Sequence, residues 1–331
     1  MTKEFFYKQA DIFSEILQSI NFDSLPISDY NKKYIKHMKT SFKYYCKIFA
    51  DCLYLISNEA QDKNITLIDY GGGAGFLSVL AKKCGFKNVI YVDRNPLSVE
   101  TAIYLKNNCF NCGADIFIEG DTKDLIDYVK NKNICPDSLI ATDLIEHIYN
   151  LDIFFSDLKK INPKMNMTFT TGSTPFNPIK KHKLHKIMDD CETGSAEIPN
   201  YYTLRFDYIE AKYPNFTKED KNKWAEATRG LTFDDIDKTI QNNILPKPAD
   251  KHNTCDPRNG NWEERILTTK EYKKVLEPLN YKMSLYKGYY NSLYANSLKS
   301  ITAKLANLSI KILGKVGFYI SPMIILYIEP K

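Results

Sequence analysis

The sequence lacks, first, anything like a signal peptide. It begins Met1-Thr2-Lys3-Glu4-Phe5-Phe6, without an apolar run or a small-residue cleavage site. Long apolar stretches are lacking too: the longest, Val316–Ile328, holds about 13 residues with a proline inside it. A spanning helix needs about 20, so no membrane crossing is expected. Paired cysteine motifs are scarce. Of the 8 cysteines, only Cys109-Phe-Asn-Cys112 forms a CxxC, with no second pair to complete a zinc site. Scattered cysteines point instead to free thiols in a reducing cytoplasm. Charge of one sign is also missing: 45 Lys and Arg against 40 Asp and Glu leave a net +5, without the concentrated basic face of a duplex binder. What remains is a chain of 331 residues, 44% hydrophobic and 26% charged, long enough to bury a sizeable core.

Two periodicities divide it. In residues 1–64, Ala10, Phe13, Leu17 and Ile20 recur at helical spacing, and Met38, Phe42, Tyr45, Phe49, Cys52 and Ile56 do so over five turns. The turn Asp23–Asp29 separates them, with Ser28 or Asp29 as N-cap. From residue 65, short apolar strands (65–69, 88–93, 115–119, 138–143 and 165–171) alternate with helical segments, the signature of βαβ units and a mostly parallel sheet. Between 176 and 265 regularity fails. That stretch is polar and rich in Pro, Lys and Asp, with short helical pieces expected only near 180–190 and 217–228. A helix (268–278), a strand (281–290), an amphipathic helix (293–313) and a last strand (322–328) then resume the pattern. The expectation is one α/β domain (65–175 and 266–331) behind an N-terminal helical cap (1–64), with 176–265 inserted after strand five as a lid over the acceptor.

The most informative segment is Asp69-Tyr-Gly71-Gly72-Gly73-Ala-Gly75-Phe76, leaving a strand and entering a helix. Glycines let the backbone turn sharply and approach a ligand closely. A dinucleotide fingerprint would need glycine at position 76, where Phe76 stands, and no Gly-Lys-Ser/Thr follows for a phosphate loop. The carboxylate ahead of the loop would repel pyrophosphate and suits a ligand carrying an ammonium group.

Over residues 65–175 the chain resembles the class I S-adenosylmethionine-dependent methyltransferases. The resemblance implies a Rossmann-like α/β fold of about seven strands, mostly parallel, with S-adenosylmethionine as cofactor. It places Asp69, Gly71, Gly73 and Gly75 in the cofactor loop, and Asp93 on the ribose hydroxyls with Arg94 beside it. Asp121 and Thr122 fall near adenine, and Asp143 beside the methionine moiety and the acceptor.

Asp143-Leu-Ile-Glu146-His147 follows strand four, its three polar residues spaced i, i+3 and i+4 as on one helical face. It resembles the Glu-x-x-Glu-His motif of the ubiquinone-biosynthesis O-methyltransferases and of the small-RNA 3′-terminal 2′-O-methyltransferases. That resemblance implies Asp143, Glu146 and His147 as ligands to Mg or Mn, with His252, His182 or His185 as a further histidine. Two other readings stand beside it: His147, with Asp143, as catalytic acid–base machinery, or a structural role alone.

The acceptor side is expected in Gly172–Pro178 and in the insertion. Lys180–Lys186 reads as a solvated helix face, and Asp256–Arg265 carries the aromatic, Arg and amide content that sugars or polar metabolites use. Tyr30, Tyr34, Tyr44 and Tyr45 belong to helices that often cover the cofactor in this family, though packing explains most of them. Residues 298, 301, 305, 308 and 312 form an apolar stripe among lysines. It fits packing against the sheet or a second copy in a homo-oligomer, or a membrane surface through residues 293–315 near a lipid-linked acceptor. The expected activity is O-methylation of a small molecule or sugar, nucleic acid not being the expected partner. The rivals are 2′-O-methylation of an RNA terminus and a cofactor-binding scaffold without catalysis.

Overall fold

The computed structural model describes residues 2–59, 64–195, 198–248, 250–293 and 297–331. The start of the helix expected at 293–313 and the last residues of the expected helical cap, 60–63, lie outside them.

The chain opens with α1 (Lys3–Ser19), α2 (Asp29–Lys39) and α3 (Phe42–Glu59). Phe6, Ala10, Phe13 and Leu17 bury one stripe of α1, and the side chain of Ser28 caps α2 by accepting from the Asn31 amide. The single helix expected from Met38 to Ile56 is two. The Ser41 amide turns back to the Met38 carbonyl at 2.8 Å, closing α2 with a tight turn before α3 starts in a new direction.

The α/β unit then runs β1 (Thr66–Tyr70), α4 (Phe76–Lys83), β2 (Asn88–Asp93), α5 (Pro96–Leu105), β3 (Ile116–Glu119), α6 (Thr122–Lys132), β4 (Ser138–Thr142), α7 (Leu151–Ile161) and β5 (Asn166–Thr171). After the insertion come α12 (Thr269–Leu276), β6 (Tyr281–Lys287), α13 (Ser297–Ile312) and β7 (Ile324–Pro330). The insertion itself supplies α8 (Pro178–Thr193), α9 (Tyr201–Lys212), α10 (Lys218–Ala227) and α11 (Phe233–Gln241). Among the described residues the strands form one sheet of order β3-β2-β1-β4-β5-β7-β6. It is parallel from β3 to β5, and β7 runs antiparallel to both neighbours. Central strands are apolar throughout because helices cover both faces: Leu67, Ile68, Val89, Ile90, Leu139 and Ile140 are fully buried. The chain crosses over between β1 and β4, the switch point where open α/β sheets bind their ligands beyond the carboxyl ends of the strands.

The insertion is more regular than its composition suggests. Helices α9 and α11 were not expected, and α8 and α10 lie where short pieces were. Asn200 and Thr232 cap α9 and α11 through their side chains. A small core of Ile209, Trp224, Ala225, Ile236 and Ile240 joins α9, α10 and α11. Beneath α8, the fully buried Arg205 forks onto Glu192 at 3.1 and 2.6 Å and donates to the Ala225 carbonyl at 3.0 Å. The charged helices α8, α9 and α10 show only a faint hydrophobic period, whereas the short α11 is strongly amphipathic.

The apolar stripe of α13 does not pack on the sheet. Ala303 and Ile310 are the buried side of that helix, while Leu298, Ile301, Leu305, Leu308 and Ile312 face outward. Among the described residues no helix is long and apolar enough to cross a membrane.

Candidate active site

Beyond the carboxyl ends of β1 and β2 lies a cleft of about 650 Å³. Gly71, Gly73, Asp93, Arg94, Asp121, Thr122 and His147 line it together, so seven expected site residues from four separate loops converge on one cavity.

The floor is made by backbone. Gly71 (φ +71°) and Gly73 (φ +52°) adopt left-handed conformations that side chains resist. A Cβ on Gly71 would lie 2.8 Å from the Leu144 side chain. Asp93 fastens this loop to the next strand: its carboxylate accepts from the Gly73 amide at 2.9 Å and from the Asn95 amide at 2.8 Å. Tyr91 adds a bond from its hydroxyl to the Gly73 carbonyl at 2.6 Å. Asp121 caps α6 and stays at the cleft wall, whereas the Thr122 hydroxyl is spent on buried Asp157 at 2.9 Å. Ile148, Ile153 and Phe154 supply an apolar wall.

Asp69 is placed differently from the expectation. It is absent from the cleft lining and turns inward, where its carboxylate accepts from the Ser78 amide at 3.0 Å and the Ser78 hydroxyl at 2.6 Å. Burial raises its pKa to about 7, against the lowering effect of those bonds. Asp69 therefore props the start of α4 under the loop. Gly75 also misses the cleft. It precedes α4 at φ +76°, where a Cβ would come within 2.9 Å of the Ala102 Cβ.

The Asp143–Glu146–His147 segment is not a helical face. Asp143 has φ +49°, and only a short 3-10 turn, Ile145–His147, follows. The left-handed residue breaks the helical register on which the i, i+3, i+4 spacing rests. Glu146 is 2% exposed, and its Oε2 has no hydrogen-bond partner. Burial, and then the charge of Asp143, push its pKa well above the usual carboxylate range. His147 Nδ1 lies 2.7 Å from the Trp262 carbonyl. A carbonyl only accepts, so Nδ1 carries the proton and Nε2 is the basic nitrogen. Asp143, Glu146 and His147 form no candidate metal group among the described residues, although the carbonyl on Nδ1 leaves His147 Nε2 open.

Among the described residues the candidate metal group is elsewhere: His185, Asp250 and His252, with ligand atoms within 4.8 Å of one another. Ordinary pairing accounts for it. His185 reaches Asp250 at 3.0 Å, His252 reaches Asp189 at 2.9 Å, and Lys181 sits on the same Asp250 oxygen at 3.2 Å. The two rings stack with centroids 4.0 Å apart. Neither these histidines nor His182 line the cleft, so none supplies the expected downstream ligand. Cys109 and Cys112 belong to no candidate metal group among the described residues.

Several neighbours escaped sequence reasoning. Asp143 sits beside Glu264, Lys180 and His147; its pKa rises to about 6, through lost solvation first and repulsion from Glu264 second, with Lys180 the largest opposing influence. Glu264 itself has φ +51° and accepts from the Ser173 hydroxyl at 2.8 Å. Lys180 is thus more than part of a solvated face. From α2, Tyr30, Asn31 and Tyr34 reach the cleft, while Tyr44 bonds the Tyr289 carbonyl. Asn259, Gly260 and Asn261 bring the insertion to the same cavity. Their hairpin is fixed there by Trp262, which stacks on Tyr149 with centroids 5.9 Å apart and carries Arg265 at 4.4 Å on its ring. The amide-rich string Asp256–Arg265 was a signal for this; its pairing with residues about a hundred positions earlier was not.

This topology, with a carboxylate-pinned glycine loop at the switch point, is the Rossmann-like fold that the resemblance to the class I S-adenosylmethionine-dependent methyltransferases implies. Residues 49–159 match the model of the ribosomal protein L11 methyltransferase family (PrmA). A ribosomal protein L11 methyltransferase from Thermosipho africanus is 37% identical over 89 residues, 27% of this chain and 32% of that protein. One from Burkholderia thailandensis is 54% identical over 37 residues, 11% and 12% of the two chains. The chain thus spans about a third or less of the curated relatives it matches. The family match stops before β5 and the insertion. Among solved structures, the plantazolicin methyltransferase BamL in complex with an analogue and SAH is 8% identical with a TM-score of 0.43, covering 99% of this chain and 97% of that one. A methyltransferase from Archaeoglobus fulgidus is 13% identical with a TM-score of 0.42, covering 92% and 100%.

Proposed function

We propose that the chain methylates an oxygen of a small polar acceptor, a sugar or comparable hydroxyl-bearing molecule, with His147 as general base. The observation that carries this is the 2.7 Å contact of His147 Nδ1 with the Trp262 carbonyl, at a histidine lining the cleft. Fixing the proton on Nδ1 leaves Nε2 free to take the hydroxyl proton as the oxygen attacks. S-adenosylmethionine, when bound, supplies a methyl carbon that its sulfonium has already made electrophilic. The left-handed turns at Gly71 and Gly73 keep side chains out of the space such a ligand needs, and Asp93 is available to its ribose. Asn259 and Asn261 give the amide donors and acceptors that hydroxyl-rich molecules use, and Tyr34 covers the loop.

A second reading takes an amine as acceptor, as in methylation of a protein. It is favoured by the neighbouring carboxylates Asp143 and Glu264, which would hold an ammonium group, and by the name carried by the partial relatives. The two readings separate with methyl-labelled S-adenosylmethionine offered to glycan and metabolite extracts and to ribosomal protein. On the hydroxyl reading, His147→Ala loses about 10²–10⁴-fold in kcat with cofactor affinity retained. Unchanged turnover in His147→Ala, with loss in Asp143→Asn instead, would favour the amine. Binding without turnover on any acceptor would return the chain to a scaffold role.

A further inference from the structure

The outward face of α13 is unusual for a water-facing helix. Leu298, Ile301, Leu305, Leu308 and Ile312 recur at i, i+3 and i+4 spacing and are 72%, 53%, 61%, 53% and 69% exposed. Val316 and Tyr319, in the 3-10 turn that follows, extend the patch at 59% and 60%. Scattered apolar residues on a surface need no explanation, but a continuous stripe along one helix does. The helix is not loose on its other side. Ala303 and Ile310 are buried, Asn307 bonds the Tyr290 backbone in both directions at 2.7 and 2.9 Å, and Lys287 caps the Ile310 and Gly314 carbonyls at 2.6 and 2.9 Å. The stripe is thus held outward by a docked opposite face.

Charge identifies the occupant. From Tyr281 to Ile328 the sequence contains six lysines and no aspartate or glutamate. Lys304, Lys311 and Lys315 are exposed beside the stripe. We propose that this face docks on the surface of an anionic lipid bilayer, the apolar side chains entering the acyl boundary and the lysines meeting the headgroups. A second copy of the chain suits the surface less well. A two-fold contact would set lysine against lysine with no acid in the segment to pair them. The patch also adjoins the acceptor side, because Phe318 packs at 5.2 Å on Phe176, in the loop that leaves β5.

The test uses the whole chain and no catalytic readout. The protein is sedimented with phosphatidylcholine vesicles and with vesicles in which about a third of the lipid is phosphatidylserine. Binding is expected to the anionic vesicles, weakening with salt and far weaker on the neutral ones. Leu305→Asp with Leu308→Asp should abolish it while leaving Tm unchanged, since both side chains are exposed. Reversing Lys304, Lys311 and Lys315 to Glu should lower the anionic partition about 100-fold or more. The proposal is overturned if the wild-type protein stays in the supernatant, or if either variant binds as well as wild type. It is equally overturned if light scattering shows a dimer that Leu305→Asp dissociates, which would give the stripe to a second copy.

Discussion

The cofactor cleft and the insertion that borders it are held together by different kinds of bond. Around the cleft the structural work is done by backbone: left-handed glycines, amides donated to Asp93, a carbonyl bonded by Tyr91. In the insertion it is done by side chains that pair with one another across helices. Arg205 with Glu192 is the buried example, and Arg229 with Asp189 and His185 with Asp250 are more open ones. A site built from backbone needs particular residue types at fixed local spacing, so it leaves a mark in the sequence. A scaffold built from paired side chains needs only that two distant residues meet.

The largest expected effect tests the side-chain half. Arg205 is fully buried, and its removal strands the Glu192 carboxylate, which also accepts from Thr254 and lies 3.6 Å from Arg229. Arg205→Ala should destabilise the insertion by about 3–5 kcal/mol, read from denaturant unfolding and from hydrogen exchange in α8 to α10. Replacing both partners, Arg205→Met with Glu192→Leu, should cost less than either single truncation, because no unpaired charge remains. S-adenosylhomocysteine should still bind the protein that stays folded. If the single variant unfolds no more readily than wild type, the ion pair does not organise this region and the contrast between the two halves fails.

The backbone half is tested by Asp93→Ala. This removes the acceptor of the Gly73 and Asn95 amides together with the group available to a ribose, so affinity for S-adenosylhomocysteine should fall by roughly 1.5–3 kcal/mol. Calorimetry measures it, with the unfolding midpoint of the insertion as control. NAD binding tightly while the homocysteine product does not bind would overturn the assignment of the cleft, although Phe76 at the third fingerprint position argues against that outcome.

Legibility follows the same division. The strands from Thr66 to Thr171 fall close to their expected bounds because each is an apolar run between turn residues, and the glycine spacing identifies the loop that meets the cleft. Asp69 shows the limit of such reasoning. Position before a glycine loop does not say which way a carboxylate points, and here Ser78, nine residues on, draws it inward. The spacing of Asp143, Glu146 and His147 misled for a related reason: one left-handed residue, Asp143, cancels the helical geometry on which the spacing argument rests. Glu264 and Lys180, beside Asp143, lie 121 and 37 residues from it along the chain, and no local pattern could have brought them together.

The smallest effect concerns Glu146, a residue whose backbone carbonyl joins the two halves by accepting from the Arg265 amide at 3.3 Å. Its folded pKa lies well above the usual value near 4.5, burial being the first cause and the charge of Asp143 the second. Below the unfolded value the residue is neutral in both states and costs nothing. As pH rises from there toward the folded value, the unfolded chain releases a proton that the folded protein keeps, so stability is progressively lost. Glu146→Gln retains the shape of the protonated acid and removes the ionisation. The variant should therefore match wild type near pH 4 and become progressively more stable than it as pH rises toward 8. Asp69 and Asp143 also have raised pKa values, about 7 and about 6, but they remain in both proteins, so the difference between the two unfolding curves isolates residue 146 to a first approximation. A difference that stays flat from pH 4 to pH 8, or a variant less stable than wild type at pH 8, would show that Glu146 is ionised in the folded protein. Its carboxylate would then be available to a cation beside His147.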